Sequence, residues 1–150
     1  MDAGLRVLAL SKRQYMGRDL LDERYGRFRE LPLGLARRGA QVRGLCVSYQ
    51  SRPEVEVMDS DGQAQVAWRS FAPRRVLPMG AYWREVDRLR EVMQPQVVWA
   101  GSDIPQLMLG GRVARRHVAP MAPRGIGLAA SFALTVVVPA RRRACSGAVS

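Results

Sequence analysis

Short apolar runs that alternate with amphipathic segments constrain this fold more than any other feature of the sequence. LRVLALS (residues 5–11) and QVVWAGS (96–102) are apolar on both faces, which is typical of strands buried in a parallel sheet. QVRGLCVSY (41–49) is predicted to be a further strand. The segments between these runs are long enough for helices, so the pattern predicts an α/β fold with right-handed crossovers.

The segment after the first predicted strand carries a helical spacing of apolar residues. The apolar positions recur at three- and four-residue steps: Tyr25, Phe28, Leu31, Leu35 and Ala36. Gly39 follows them and is expected to end the helix in the left-handed conformation. Because a proline inside a helix removes a hydrogen bond, Pro32 predicts either a kink or a helix that begins near it.

A hairpin and a second helix are predicted further along the chain. Residues 55–71 hold two alternating runs around Asp61-Gly62, a pair that favours a tight turn between antiparallel strands. Residues 81–95 place their apolar side chains on one helical face and end at Pro95. The predicted order is therefore strand, helix, strand, hairpin, helix, strand, helix.

The net charge is strongly positive and unevenly placed. The chain has 24 basic and 13 acidic residues, a formal net charge of +11, which suggests an anionic partner such as nucleic acid. Only Lys12 is a lysine, and a GC-rich coding sequence would give the same excess of arginine without selection for polyanions. Residues 104–150 carry seven arginines and no acid, so most of the excess charge belongs to the C-terminal third.

The C-terminal segment, residues 118–150, changes character. It has no acid, no helical period and one β-rich run, residues 132–138. The preferred interpretation is a tail foreign to the domain, as a frameshift would produce, which packs poorly and can be deleted with little loss of structure. Residues 125–130 match a dinucleotide fingerprint but lack its flanking strand and acid. Residues 125–140 are uncharged but shorter than the roughly 20 residues of a membrane span.

The residue inventory argues against several kinds of site. His117 is the single histidine, so a histidine-based metal site or catalytic triad is not expected. Cys46 and Cys145 have no zinc spacing, and a reducing cytoplasm is the expected compartment. The N-terminus lacks a long apolar run, so a signal peptide is not expected. Neither a metal nor a cofactor is predicted.

The charged stretch after the first strand is the candidate site, because ligands of open α/β sheets bind beyond the carboxyl ends of the strands. The candidate substrate-binding residues are Gly17, Arg18, Asp19, Asp22, Arg24 and Asp103. Gly17 would let the backbone approach a ligand, the arginines would meet a phosphate, and the aspartates would accept hydrogen bonds from sugar hydroxyls. The simpler interpretation is a solvated helix entry with Asp22 as N-cap, and Ser102 or Asp103 as N-cap of the last helix. No catalytic residue is assigned.

The sequence LRVLALSKR…MGRDLLDERYGRFRELPLGLARRGAQVRGLCVSY resembles the opening of the N-terminal domain of GT-B-fold glycosyltransferases of the group 1 type. ELPLGLARRGAQVRGLCVS is similar to the first helix and second strand of that family, and PQVVWAGSDIPQLMLGGRVARRH resembles a later strand and helix. The resemblance covers about residues 5–117. It implies a Rossmann-like α/β domain over residues 1–117, an open parallel sheet with flanking helices that forms one half of a GT-B fold, followed by the aberrant tail.

The family reaction is sugar transfer from a nucleotide-sugar donor, usually without a bound metal. The resemblance implies that this N-terminal half holds a sugar or glycolipid acceptor, with peripheral membrane contact at most. The donor-binding half of the family carries an E-x7-E motif that has no counterpart here, so the chain alone is expected to be inactive unless a second domain supplies the donor. Two alternatives stay open: a basic nucleic-acid-binding α/β module, and a gene fragment without function.

Overall fold

The computed structural model describes residues 4–24, 26–50, 52–72, 79–101, 108 and 110–113, together with the backbone of Ala133–Val137. The strands within these ranges are β1 (Arg6–Lys12), β2 (Gln14–Tyr15), β3 (Arg18–Asp19), β4 (Gln41–Val47), β5 (Glu56–Ser60), β6 (Gln65–Phe71), β7 (Val97–Gly101) and β8 (Ala133–Val137). The helices are α1 (Arg27–Arg37) and α2 (Gly80–Met93), and residues 110–113 are also helical.

Six strands form one mixed sheet in the order β5-β6-β4-β1-β7-β8. The four central strands run parallel, whereas the edge strands β5 and β8 run antiparallel to their neighbours. The α/β class expected from the sequence is confirmed, and the sheet is mixed, with a parallel centre and antiparallel strands at both edges. One physical reason is the short turn between β5 and β6, since a tight hairpin can join only antiparallel strands.

The sheet is covered on both faces, and the residues of β1 alternate between the two sides. Ala9 packs in the cluster that contains Phe28 of α1, whereas Leu10 packs in the cluster that contains Val86 of α2. A fully buried leucine or valine side chain contributes about 1.5–3 kcal/mol to folding. Burial on both faces explains why β1 is apolar without alternation.

Helix α1 differs from its predicted start and agrees with its predicted end. The helix begins after Gly26, and Pro32 lies inside it, so the interpretation of a helix that begins near Pro32 is wrong. Burial of Phe28 in the first turn, where it is 4% exposed, compensates for the hydrogen bond that the proline lacks. Gly39 has a φ of +86°, which confirms the left-handed end of the helix.

The predicted hairpin and second helix both form. β5 pairs with β6 around Asp61 and Gly62, where Gly62 has a φ of +88°. The Asp61 carboxylate accepts the backbone N–H of Gln63 (3.0 Å) and of Ala64 (2.9 Å), which fixes the turn. Helix α2 ends two residues before Pro95, as the sequence predicts.

One strand of the C-terminal segment lies within the described residues. β8 pairs antiparallel with β7, so part of the β-rich run at residues 132–138 is a strand and does not belong to a membrane-spanning helix. The fingerprint match at residues 125–130, the predicted cap at Ser102 or Asp103 and the packing of the rest of the tail lie outside the described residues. No helix in the described part of the chain combines the length and apolarity needed to cross a membrane.

Candidate functional site

Three parallel strands end at the same edge of the sheet, which we call the carboxyl edge. The backbone N–H of Arg13, just after β1, donates to Val47 O at the end of β4 (2.9 Å). The N–H of Ser48, just after β4, donates to Phe71 O at the end of β6 (2.8 Å). These two bonds bring the ends of β1, β4 and β6 together, so side chains that follow the strands are gathered at one place.

Residues 13–24, which we call the hairpin loop, cross the carboxyl edge between β1 and α1. β2 and β3 pair antiparallel within it, and Met16 (φ 51°) and Gly17 (φ +76°) form the turn between them. A Cβ at Gly17 would meet nothing within 4 Å, so backbone conformation, and not space, favours glycine there. Leu20 and Leu21 are buried and anchor the loop to the core.

Arg13 is the centre of a buried polar network at this edge. Its guanidinium donates from Nε to the Asp19 carboxylate (3.1 and 3.0 Å) and from Nη2 to Asp22 Oδ1 (3.1 Å). Nη1 donates to Pro53 O (3.0 Å) and to Ser70 Oγ (3.3 Å). A side chain that is 3% exposed therefore joins the hairpin loop to the segment after β4 and to β6.

Asp19 organises the hairpin loop from within. Its Oδ1 accepts the backbone N–H of Leu21 (2.9 Å) and Asp22 (3.0 Å), and its Oδ2 accepts Gln14 Nε2 (3.3 Å). Burial opposes ionisation, but these backbone N–H groups and the Arg13 guanidinium outweigh it, so the pKa of Asp19 lies below its usual range. The carboxylate is charged and occupied by protein donors, which gives it a role in holding the loop.

Gln14 extends the network to the end of β4. Its Nε2 donates to Ser48 Oγ (3.0 Å), and its Oε1 accepts the backbone N–H of Tyr49 (3.1 Å). Ser48 Oγ in turn accepts the backbone N–H of Arg52 (3.1 Å). The hairpin loop and the segment after β4 are thus tied by side-chain hydrogen bonds.

A cavity of about 240 Å³ opens beside this network at the carboxyl edge. Four cationic residues line it: Lys12, Arg13, Arg18 and Arg27. The other described lining residues are Tyr15, Leu20, Gly26 and Phe28. The cavity combines aromatic and aliphatic surface with positive charge, and it adjoins the N-terminus of α1, where the helix dipole favours an anion.

The aromatic rings of the cavity are held edge to face beside its cations. Tyr15 and Phe28 have ring centroids 5.4 Å apart at 86°, and Phe28 lies 6.1 Å from Trp99 of β7. Lys12 Nζ lies 4.9 Å from the Tyr15 centroid, and the Arg27 guanidinium lies 5.7 Å from that of Phe28. Such an arrangement suits a ligand with a ring and a negatively charged group.

Most of the predicted site residues reach this edge. Arg18 lines the cavity, Gly17 lies at the exposed turn of the hairpin loop, and Asp19 and Asp22 lie in the Arg13 network. Arg24 is exposed with a φ of 51° and is not among the lining residues. Asp103 lies outside the described residues.

The alternative assignment of Asp22 as the N-cap of α1 is wrong. Gly26 occupies that position and makes no side-chain capping bond. The Asp22 carboxylate is engaged elsewhere, by Arg13 Nη2 (3.1 Å) and by Arg52 Nη1 (3.6 Å). Asp22 thus contributes to the arginine network and not to the helix start.

Sequence reasoning missed Arg13, Gln14, Lys12, Tyr15 and Phe28 as site residues. Arg13 and Gln14 directly follow a strand that is buried on both faces, which is where side chains of an open α/β sheet reach the ligand cleft. The position of Arg13 and Gln14 directly after β1 could therefore have predicted that they belong to the site. Phe28 carried no such signal, because a helical apolar stripe predicts core packing.

Two other features of the described chain do not resemble catalytic sites. Burial raises the pKa of the Cys46 thiol to about 12, so this residue is inert as a nucleophile. Among the residues that the structure describes, no three His, Cys, Asp or Glu side chains are grouped to hold a metal ion.

A second hollow, of about 510 Å³, lies at the opposite, amino edge of the sheet. Ala40, Gln41, Met58 and Val92 are among its lining residues. None of the predicted site residues lines it, so it serves below as a reference surface away from the carboxyl edge.

Comparison of the chain with family models, with curated proteins and with solved structures finds no match. The functional argument therefore depends on the fold and on the chemistry of the carboxyl edge.

Proposed function

We propose that this chain is the acceptor-side domain of a GT-B-type glycosyltransferase, a Rossmann-like half that holds a sugar-containing, anionic acceptor at its carboxyl edge. The cavity of about 240 Å³ at the end of β1 is the observation that carries the proposal. Two aromatic rings and four cationic side chains line the cavity, and this lining matches the two parts of such an acceptor. Two of the four cations also have carboxylate partners, since Arg13 binds Asp19 and Asp22 and Arg18 binds Glu23 (3.2 Å).

The strand order supports the Rossmann-like assignment. Among the four parallel strands, the spatial order β6-β4-β1-β7 corresponds to the third, second, first and fourth along the chain. These are the first four strands of the 3-2-1-4-5-6 order of doubly wound nucleotide-binding folds, where ligands bind outside the carboxyl ends at the point of reversal. The cavity adjoins the end of β1, the strand at which the order reverses.

The size and chemistry of the cavity support a small acceptor group. Its volume is slightly below the roughly 300–1,000 Å³ of typical small-molecule sites, which fits a monosaccharide unit. The half-buried Tyr15 offers ring surface to a sugar beside the buried Phe28, while Arg27 attracts phosphate or carboxylate oxygens. Arg18 also lines the cavity and donates to Glu23 Oε2 (3.2 Å). The acceptor class is therefore a sugar phosphate, free or as the head group of a glycolipid.

Transfer of a sugar also needs a nucleotide-sugar donor. The described residues form one sheet of this kind, and its cavity is assigned to the acceptor. We expect a second domain to supply the donor site. We also expect the present domain to act in the cytoplasm, since a buried free thiol such as Cys46 is compatible with a reducing compartment. Membrane contact is expected to be peripheral.

The nucleic-acid alternative receives less support from the charge distribution. Arg29 forms a paired contact with Asp59 (2.8 and 3.0 Å), and Glu85 accepts from both Arg88 (2.9 and 2.5 Å) and Arg69 (2.9 Å). Such pairs neutralise arginines that would otherwise build a continuous basic track. At the cavity Arg13 is likewise paired with Asp19 and Asp22, and Arg18 with Glu23. Within the described residues the positive charge is thus largely compensated, which favours a small anion over a polyanion.

A calorimetric titration tests the proposal. The chain is titrated with α-D-glucose 1-phosphate, glucose and inorganic phosphate, and the sugar phosphate should bind most tightly. Arg27→Gln should weaken it at least about tenfold, because a charge-assisted hydrogen bond contributes about 1.5–3 kcal/mol. Arg38→Gln is the matched control, since Arg38 is exposed at the other end of α1.

Two outcomes would count against the proposal. Equal binding of inorganic phosphate and the sugar phosphate would remove the sugar from the assignment. Binding that Arg27→Gln and Arg38→Gln weaken to the same extent would show that general positive charge, and not the cavity, attracts the ligand.

A further inference from the structure

We propose that Arg13 is a positioning residue: its buried ion pair with Asp19 holds the hairpin loop in the conformation that forms the cavity wall. The inference depends on the proposed function only for the nature of the ligand. It concerns how the site is built, and its main readout does not require a ligand.

The cavity has two walls that come from different parts of the chain. Tyr15, Arg18 and Leu20 belong to the hairpin loop, whereas Gly26 and Phe28 belong to the start of α1. The shape of the cavity therefore depends on where the hairpin loop lies relative to the helix.

Arg13 holds that loop by its backbone as well as its side chain. Its carbonyl oxygen accepts the N–H of Leu20 (2.8 Å), and its guanidinium binds Asp19 and Asp22 on the same loop. The other side of the guanidinium is fixed to Pro53 O in the segment after β4 and to Ser70 Oγ of β6. Arg13 is thus the bridge between a rigid sheet edge and a loop.

Energetics favour a positioning role over a general stabilising one. Arg13 and Asp19 are 3% and 4% exposed in their side chains, and burying such a pair costs about as much in desolvation as it gains in attraction. The planar fork of arginine satisfies four acceptor groups in fixed directions, which lysine cannot do. What the pair provides is one defined loop geometry.

Hydrogen exchange of three backbone amides reports this geometry directly. The N–H of Leu20 donates to Arg13 O, and the N–H groups of Leu21 and Asp22 donate to Asp19 Oδ1. In Arg13→Lys these amides should exchange at least about tenfold faster, as expected when hydrogen bonds to a charged group are lost and the loop opens locally. Amides of β1 and β4 should change much less.

Arg29→Lys is the matched control. Arg29 also makes a two-pronged contact with an aspartate, Asp59, and its side chain is 14% exposed, but this pair joins α1 to β5. Its loss should leave the three hairpin-loop amides and the binding of α-D-glucose 1-phosphate unchanged, whereas Arg13→Lys should weaken that binding about tenfold. Millimolar methylguanidinium should slow the loop amides again in Arg13→Ala and not in Arg13→Lys.

The result that overturns the proposal is specific. Wild-type exchange of the three amides in Arg13→Lys, or equal acceleration of β1 and β4, would show that Arg13 does not position the loop. If Arg13→Lys does not fold, Asp19→Asn takes its place, and failure of both to fold would assign the pair to the fold as a whole. A third outcome is that the three loop amides exchange faster in Arg13→Lys while the wild type does not bind the sugar phosphate. That outcome would refute the proposed ligand and leave the positioning role intact.

Discussion

Gly44 of β4 lies directly opposite Trp68 of β6, and we expect Gly44→Ala to destabilise the domain strongly. The added methyl group would lie 2.1 Å from Cε3 of the Trp68 ring, with two further ring atoms at 2.4 and 2.5 Å. Carbon atoms in contact are normally about 3.5–4.0 Å apart, so the ring would have to move by about 1.5 Å. Trp68 is 1% exposed and packed in the core, which leaves little room for that movement.

The expected cost follows from this overlap. Overpacking a core typically costs about 1–3 kcal/mol, and we expect about 3 kcal/mol here because the clash involves a ring and a strand backbone. Urea unfolding followed by circular dichroism measures it. With a denaturant slope of about 1.5 kcal/mol/M, the midpoint should fall by about 2 M.

The chain offers both a control and a compensating variant for this experiment. Gly34 lies inside α1 with nothing within 4 Å of its Cβ, so Gly34→Ala should stabilise by about 0.5–1 kcal/mol. In a Trp68→Leu background the cost of Gly44→Ala should fall, because the clashing ring is gone. A cost below about 1 kcal/mol in the wild-type background, or strictly additive effects with Trp68→Leu, would refute the reasoning.

Three further predictions concern acid stability, thiol reactivity and the tail. The folded pKa of Asp19 lies below its unfolded value of about 3.9, so its contribution to stability is present above that pH and is lost as the pH falls through the folded pKa. In Asp19→Asn the urea midpoint should therefore fall less steeply as the pH drops below about 4. The same steepness in the variant and the wild type would contradict this. In a Cys145→Ser chain, Cys46 should react with a thiol reagent at pH 8 only as fast as the protein unfolds, since its thiol is buried and its pKa is about 12; fast labelling of the native protein would exclude this. Deletion of residues 118–150 should leave a cooperative urea transition, because the described members of both buried clusters lie before residue 114. The deletion should also promote association through the uncovered edge of β7, and loss of the transition would make the tail part of the domain.

Much of the fold could be predicted because each local pattern agrees with its tertiary role. β1 is apolar on both faces and is buried on both, and Asp61-Gly62 predicts the turn that the hairpin adopts. The sequence left the start of α1 open between a helix that includes Phe28 and one that begins near Pro32, and burial of Phe28 favours the earlier start. Local propensity was overridden there by packing.

The candidate site was predictable in location and not in its internal contacts. The edge followed from the rule that ligand clefts lie beyond the carboxyl ends of parallel strands. The role of Arg13 depends on Pro53 and Ser70, which are 40 and 57 residues away in sequence and come close only when β4 and β6 pair. No local pattern encodes such a contact.

The most direct test of the account is to locate a bound sugar phosphate on the isotopically labelled chain by nuclear magnetic resonance. On titration with α-D-glucose 1-phosphate, we expect the largest saturable shifts at the amides of Tyr15, Leu20, Gly26 and Phe28, which line the carboxyl-edge cavity. Residues of the amino-edge hollow, such as Met58 and Val92, should not shift. Saturable shifts at the amino edge with none at the carboxyl edge would contradict the account.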